Sequence, residues 1–145
     1  MKRVERTATI ATTPDELFAY LADLENLDEW MAGIVSAEVT TGGEIGVGTK
    51  ARVVRALGAK SVEAQLTVEA HEPPRHIVIG SEVSGVRIAA SLDLEPASGD
   101  ATELRFAMEI RGSMLTRFME PMIAGAAGGE IDVTLERIRA RFATG

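Results

Sequence analysis

The chain has 145 residues, of which 46% are hydrophobic and 26% charged, proportions typical of a soluble globular domain. Its formal net charge of −7 disfavours contact with phosphate backbones, so we expect no nucleic-acid partner. Cysteine is absent, which excludes disulfide bonds, thiolate metal sites and cysteine nucleophiles. The length fits a single domain spanning residues 1–145 with a core of its own.

Segments that would insert into a membrane are not evident in the sequence. No apolar run approaches the roughly 20 residues needed to cross a bilayer. The first residues carry positive charge, but no continuous apolar region and no small-residue cleavage site follow them, as a signal peptide would require. We therefore expect a cytoplasmic protein with no integral membrane segment.

The amino-terminal part predicts one strand followed by two short helices. Residues 2–11 alternate between polar and apolar side chains, as in a strand with one buried face. Thr13 is a good N-cap for the first helix, and Glu16 would complete a capping box. Apolar residues spaced by three and four positions predict that this helix ends near Asp23 and that a second one is closed by Gly33.

The middle of the chain predicts six further strands. Segments of alternating hydrophobicity are separated there by stretches rich in glycine, proline or polar residues. Such alternation is typical of an antiparallel sheet with one apolar and one polar face. The predicted strands are 34–40, 49–57, 61–70, 76–83, 86–95 and 101–111, with tight connections at 58–60 and 84–85.

Residues 113–142 predict a long helix that covers the apolar face of this sheet. Apolar side chains recur there every three or four positions, which places them on one side of a helix. Pro121 predicts a kink or break, and each glycine of the segment 125–129 weakens a helix by roughly 1 kcal/mol relative to alanine. We expect a loosely held first half that roofs a ligand site, with small residues leaving space beneath it, and a regular second half that closes the core.

Three segments resemble the START/Bet v 1 superfamily (SRPBCC) and, within it, the polyketide cyclase/dehydrase-like branch. They are residues 13–18 (TPDELF), residues 26–30 (NLDEW), and Pro73-Pro74 followed by an arginine and a strand. The resemblance covers essentially the whole chain, and its motifs mark architecture, not catalysis. It implies an α+β helix-grip fold, in which a curved antiparallel seven-stranded sheet surrounds a long C-terminal helix and two short helices follow the first strand. Members bind lipids, sterols, quinones, hormones or polyketides, and a minority catalyse cyclisation or dehydration.

The inward faces of the predicted strands indicate an apolar cavity under the terminal helix. They carry almost no charge, and small residues such as Ala64 and Ala90 stand where larger side chains would fill the space. Arg55, Ser81 and Glu120 are candidates for the polar group that orients a ligand. The predicted ligand-binding residues are Trp30, Leu66, Ile79, Ile88, Leu92, Phe106, Met108, Leu115, Phe118, Met119 and Met122.

Residues that could carry catalysis are not organised into a recognisable set. His71 and His76 flank the proline turn on the polar phase of their strands, which favours surface positions over a metal or acid–base site. Trp30 either stacks on a ligand at a cavity mouth or anchors its helix to the sheet, and these two roles are compatible. We therefore predict no catalytic residue, no metal site and no cofactor.

Three functions fit these observations. The leading hypothesis is that the protein holds or carries a small hydrophobic molecule such as a lipid, quinone or polyketide. The alternative is an enzyme of the aromatase/cyclase or dehydratase type that uses the same cavity. In the third, the cavity has collapsed and the protein acts through an interface. A homodimer is one candidate assembly.

Overall fold

The computed structural model of the chain is a seven-stranded antiparallel sheet that curves around a long carboxy-terminal helix. It describes residues 1–57, 59–83 and 85–143, with the backbone alone at Leu57. Gly58 and Ser84, on which the two predicted tight connections depend, lie outside the described residues. The predicted α+β helix-grip fold is confirmed.

The elements follow the predicted order of one strand, short helices, six strands and one long helix. The strands are β1 Lys2–Ile10, β2 Ile34–Val39, β3 Lys50–Leu57, β4 Lys60–Glu72, β5 His76–Val83, β6 Val86–Ala97 and β7 Ala101–Gly112. The helices are α1 Pro14–Ala22, α2 Leu27–Trp30 and α3 Glu120–Arg141, with 3₁₀ turns at Leu24–Asn26 and Arg117–Met119. The sheet order is β1-β7-β6-β5-β4-β3-β2, so β2 to β7 form a meander that β1 joins at β7.

The core lies between the inner face of the sheet and α3. Directly opposed residues of antiparallel strands share a face, and Leu92 and Phe106 form such a pair with both side chains fully buried. The helix packs on β1 and β7 and buries Ile131, Leu135 and Ile138. Each aliphatic side chain removed from water in this way contributes about 1.5–3 kcal/mol. The described part of the chain contains no helix that is both long and apolar enough to cross a membrane.

The start of α1 is capped as predicted on one side only. The Thr13 hydroxyl accepts a hydrogen bond from the Glu16 backbone N–H at 3.4 Å. In a capping box the Glu16 carboxylate would accept from the Thr13 backbone N–H. Here it accepts instead from the Thr12 hydroxyl at 2.6 Å. Thr12 is buried beside the helix start, and the Glu16 carboxylate supplies the acceptor that its buried hydroxyl needs.

Helix α3 runs continuously from Glu120 to Arg141, so the predicted kink at Pro121 is wrong. Pro121 lies in the first turn, where backbone N–H groups have no intrahelical acceptor, and proline therefore removes no hydrogen bond. The helix also continues through the glycines of segment 125–129. Residues 113–116, predicted as helix, instead form a turn between β7 and the 3₁₀ segment.

A bulge in β4 exchanges the faces of its last residues. The pairing register shifts between Val68 and Ala70, which leaves Glu69 as the additional residue. Beyond the bulge His71 lies opposite Ile77, whose side chain is fully buried, and Ala70 moves to the other face. The prediction that His71 lies on the polar phase of its strand is therefore wrong, since strict alternation does not accommodate an inserted residue.

Candidate functional site

An inner cavity of about 50 Å³ lies against the sheet between β3 and β7. Among the described residues that line it, Arg55 and Ser81 are the polar ones, and the remainder are apolar. Pairing explains their orientation, because Arg55 opposes Val62 on β4 and Ser81 opposes Leu66, both on the face that turns inward. A cavity of this volume holds only a few water-sized groups.

An outer cavity of about 360 Å³ lies beneath the first turns of α3. Its size falls within the range of roughly 300–1,000 Å³ found for small-molecule sites. Helix α3 contributes Met122 and Ile123 to its wall, the preceding 3₁₀ turn contributes Met119, and the flexible methionine side chains can adapt to a ligand. The two cavities adjoin, since both are lined by Arg55, Val83, Ile88 and Met108.

An ion pair between Arg55 and Glu130 stands where the two cavities meet. The Arg55 guanidinium donates to the Glu130 carboxylate across the space between β3 and α3. Gly33, in the loop after α2, lies beside this pair. Its φ of +86° suits glycine, and a Cβ there would lie 3.5 Å from Glu130 Oε1 and 3.6 Å from the central guanidinium carbon of Arg55.

Ser81 brings an unpartnered hydroxyl to the inner cavity. Its Oγ is buried and has no hydrogen-bond partner among the described residues. A buried hydroxyl without a partner costs roughly 1–3 kcal/mol, so a polar atom of a ligand placed beside it would recover that energy. Trp30 Nε1 is likewise buried without a partner in the described part of the chain, but Trp30 lies in the core outside both cavity linings.

Glu120, the third polar candidate, is engaged away from the cavities. One carboxylate oxygen lies 2.9 Å from the Met1 amino nitrogen, and the other accepts from the Gly112 backbone N–H at 2.8 Å. The hydrogen bond to the amino group, followed by that to Gly112, lowers the pKa of Glu120 from its ordinary value. This carboxylate therefore ties the start of α3 to β1 and β7.

The structure brings together six of the eleven residues predicted to bind a ligand. Leu66 and Ile79 line the inner cavity, Ile88 and Met108 line both cavities, and the outer one includes Met119 and Met122. The other five lie elsewhere. Trp30, Leu92 and Phe106 are fully buried in the core, whereas Leu115 and Phe118 are 86% and 78% exposed. Ligand contact by any of these residues stays a prediction.

Several cavity residues were not among those predicted to bind a ligand. The inner cavity also includes Met31, Ile34, Val53, Ala64, Val83 and Ala90, and the outer one Ile110, Ile123, Ala126, Ala127 and Glu130. The alternation in β3 places Val53 on the same face as Arg55, and this signal would have identified Val53 as a cavity residue. Glu130 carried no such signal, since a glutamate on an amphipathic helix ordinarily faces solvent.

The space beneath α3 comes from its alanines. Ala126 and Ala127 line the outer cavity, whereas Gly125 and Gly129 are exposed and a Cβ on either would meet nothing within 4 Å. The prediction that small residues leave volume under the helix thus applies to the alanine side chains and not to these two glycines.

The two histidines lie apart from the cavities. The His71 ring packs edge-on against Phe18 with 5.5 Å between ring centroids, in an open surface groove beside the cis Pro73–Pro74 turn. His76 Nδ1 lies 2.7 Å from an Asp93 carboxylate oxygen on the outer face. Among the residues that the structure describes, no group of three histidine or carboxylate side chains is close enough to hold a metal ion.

Solved structures with the same architecture share little sequence with this chain. A START superfamily protein from Mycobacterium smegmatis aligns with a TM-score of 0.79 and 14% identity over 97% of this chain and 96% of that one. A protein from Thermus thermophilus aligns with a TM-score of 0.76 and 17% identity over 97% of each chain. One half of BexL, a di-domain ARO/CYC from a biosynthetic pathway, aligns with a TM-score of 0.76 and 16% identity over 97% of this chain and 46% of BexL.

The sheet, the enclosed helix and the apolar cavities between them define a START/Bet v 1-like domain, a fold of ligand-binding proteins and polyketide cyclases. The sequence profile of the family described as "Polyketide cyclase / dehydrase and lipid transport" matches residues 1–143. The chain belongs to this family, which confirms the resemblance found in the sequence. Comparison with curated protein sequences gives no match.

Proposed function

We propose that this protein binds, and carries, a small hydrophobic molecule of the lipid, quinone or polyketide type in the joined cavities between sheet and α3. The observation that carries the proposal is the adjoining pair of cavities, whose described lining is apolar apart from Arg55, Ser81 and Glu130. An apolar wall with a few convergent polar groups is the usual composition of a small-molecule site. The expected cytoplasmic location stays a prediction.

The dimensions of the cavities favour a ligand of modest size. The outer cavity of about 360 Å³ accommodates the body of such a molecule, and the inner one of about 50 Å³ accommodates only one end. Both are lined by Ile88 and Met108, so a single ligand can extend from one into the other. Met122 lines the outer cavity and is 69% exposed, which supports an entrance beside the start of α3.

A binding screen with a cavity-filling variant tests the proposal. The purified protein would be equilibrated with a panel of fatty acids, isoprenoid quinones and aromatic polyketides, and retained molecules would be identified by native mass spectrometry. Ala90→Leu fills the inner cavity, which Ala90 lines, and we expect it to weaken retention of the bound compound about tenfold or more. Ala126→Leu, on the exposed edge of the outer cavity, should do the same at less risk to folding.

Ala89→Leu is the matched control, because Ala89 neighbours Ala90 but turns to the other face of β6 and should leave binding unchanged. Retention of no compound from the panel would contradict the proposal. Equal retention by the wild-type protein and both cavity variants would place binding outside these cavities.

A cyclase or dehydratase is the second candidate, and one observation favours it. Glu130 is the carboxylate among the described residues of the cavity lining, where a general base for enolisation would have to stand. In the structure its carboxylate accepts a hydrogen bond from the Arg55 guanidinium. Incubation with a linear poly-β-ketone would test for cyclised or dehydrated products, and a rate lowered about 100-fold by Glu130→Gln would identify an enzyme. We expect the compound to be recovered unchanged.

A further inference from the structure

We propose that the ligand carries a carboxylate, which takes the place of Glu130 on Arg55 when it binds. This inference rests on the proposed function, since it specifies the head group of a molecule held in the same cavities. It makes Arg55 the residue that determines ligand specificity. Glu130 then occupies the head-group position in the absence of ligand.

The two partners of the ion pair differ in their freedom to leave it. Arg55 extends from the inward face of β3, and its side chain is 20% exposed. Glu130 extends from α3, and its side chain is 31% exposed at the edge of the outer cavity. The carboxylate can therefore turn to solvent with little loss of hydration, whereas the guanidinium remains against apolar walls. A partly buried guanidinium left there without an anion loses its ion pair, so an incoming group that replaces Glu130 is favoured when it is negatively charged.

The inner cavity supplies a second interaction for a carboxylate head. Arg55 and Ser81 both line it, and the buried Ser81 hydroxyl has no partner among the described residues. A carboxylate accepts charge-assisted hydrogen bonds from a guanidinium and a hydroxyl together, whereas an alcohol oxygen accepts them without the charge and an ammonium head accepts none. The hydrocarbon part would then lie in the outer cavity against Met119, Met122 and Ile123.

A ligand with a positively charged head is the competing possibility, since it could pair with Glu130 instead. That arrangement would leave Arg55, the less exposed partner, without its anion. The asymmetry of burial therefore favours the anionic ligand.

Three probes of equal chain length distinguish these cases, namely decanoate, decan-1-ol and decylamine, measured by isothermal titration calorimetry at pH 7.5. We expect decanoate to bind about tenfold or more tightly than decanol, and decylamine to bind weakest. Arg55→Gln should abolish the preference for decanoate over decanol. Glu130→Gln removes the internal competitor and should raise decanoate affinity about fivefold without affecting decanol.

Matched controls lie on the same elements. Arg52→Gln removes an arginine of β3 that pairs with Glu38 on the outer face, and Glu136→Gln removes an exposed carboxylate of α3. Both should bind decanoate like the wild-type protein. Equal affinity of the wild-type protein for decanoate and decanol overturns the carboxylate inference and leaves the proposed function standing, as does tighter binding of decylamine. Binding of none of the three probes overturns the inference, and the wider panel then decides the proposed function.

Discussion

Arg55 on β3 and Glu130 on α3 form an ion pair although they are 75 positions apart in the sequence. The pair lies where the inner and outer cavities adjoin. Helix α3 packs on β1 and β7 at one edge of the sheet, whereas β3 lies near the opposite edge, and the cavities occupy the space between. The one polar bridge across this space is thus also the boundary between the inner and outer cavities in the described part of the chain.

The glycines of α3 offer a direct gain in stability. Gly125 and Gly129 are exposed in a regular helix, and an added Cβ would meet nothing within 4 Å. We expect Gly125→Ala and Gly129→Ala each to raise the free energy of unfolding by about 0.5–1 kcal/mol, because alanine loses less backbone entropy on folding. Urea denaturation measures the change.

Gly33→Ala should lower the free energy of unfolding. The positive φ of Gly33 is unfavourable for alanine, so we expect a loss of about 1–2 kcal/mol in the same assay. If alanine raised the free energy of unfolding equally at Gly33 and at Gly125, the backbone conformations described for these residues would be wrong.

Tyr20 should ionise at unusually high pH. Burial, followed by the hydrogen bond of its hydroxyl to Glu29 at 3.1 Å, raises the pKa of Tyr20 to about 12. Because this is the single tyrosine of the chain, an ultraviolet absorbance titration reports on it alone. Glu29→Gln removes the acceptor charge and should lower the pKa, though not to the ordinary 10.0, since burial remains. A wild-type value near 10.0, with circular dichroism showing a folded protein, would disprove the arrangement.

Glu120 should make folding stability depend on pH in the acidic range. Its pKa in the folded protein lies below the ordinary 4.5 because its carboxylate binds the Met1 amino group and the Gly112 N–H. The stabilisation is therefore present above pH 4.5 and is lost as the pH falls through the lowered pKa. We expect Glu120→Gln to melt at a lower temperature than the wild-type protein at pH 7, with a difference that shrinks in more acidic buffer. Glu136→Gln, at an exposed position, should show no such trend.

The exposed apolar residues before α3 should contribute little to stability. Leu115 and Phe118 are 86% and 78% exposed, so changing both to serine should alter the free energy of unfolding by no more than about 0.5 kcal/mol. Leu92→Ala, in the fully buried core, should cost about 2–5 kcal/mol. A large loss from the serine variant would mean that this turn packs against the protein in solution. If the double serine variant also binds ligand with the affinity of the wild-type protein, the prediction that Leu115 and Phe118 contact the ligand is wrong.

The sequence-based prediction of α3 shows where periodicity is sufficient and where it is not. Spacing by three and four correctly placed Ile131, Leu135 and Ile138 in the core, because these residues meet the sheet. The same spacing before Pro121 placed Leu115 and Phe118 on one helical face, yet they lie in a turn and a 3₁₀ segment and are exposed. Periodicity identifies residues that could share a face, but it does not show whether that face has a partner.

The sequence by itself determined the strands, the short helices and the inward apolar faces, because alternation, spacing and capping act between residues near in the chain. It also named Arg55 and Ser81 as polar candidates without their orientation. Only the tertiary structure decided which of these side chains meet. The bulge that turns His71 inward and the pairing of Arg55 with Glu130 depend on strand register and on how α3 lies across the sheet. Those relationships join distant segments, and no local pattern encodes them.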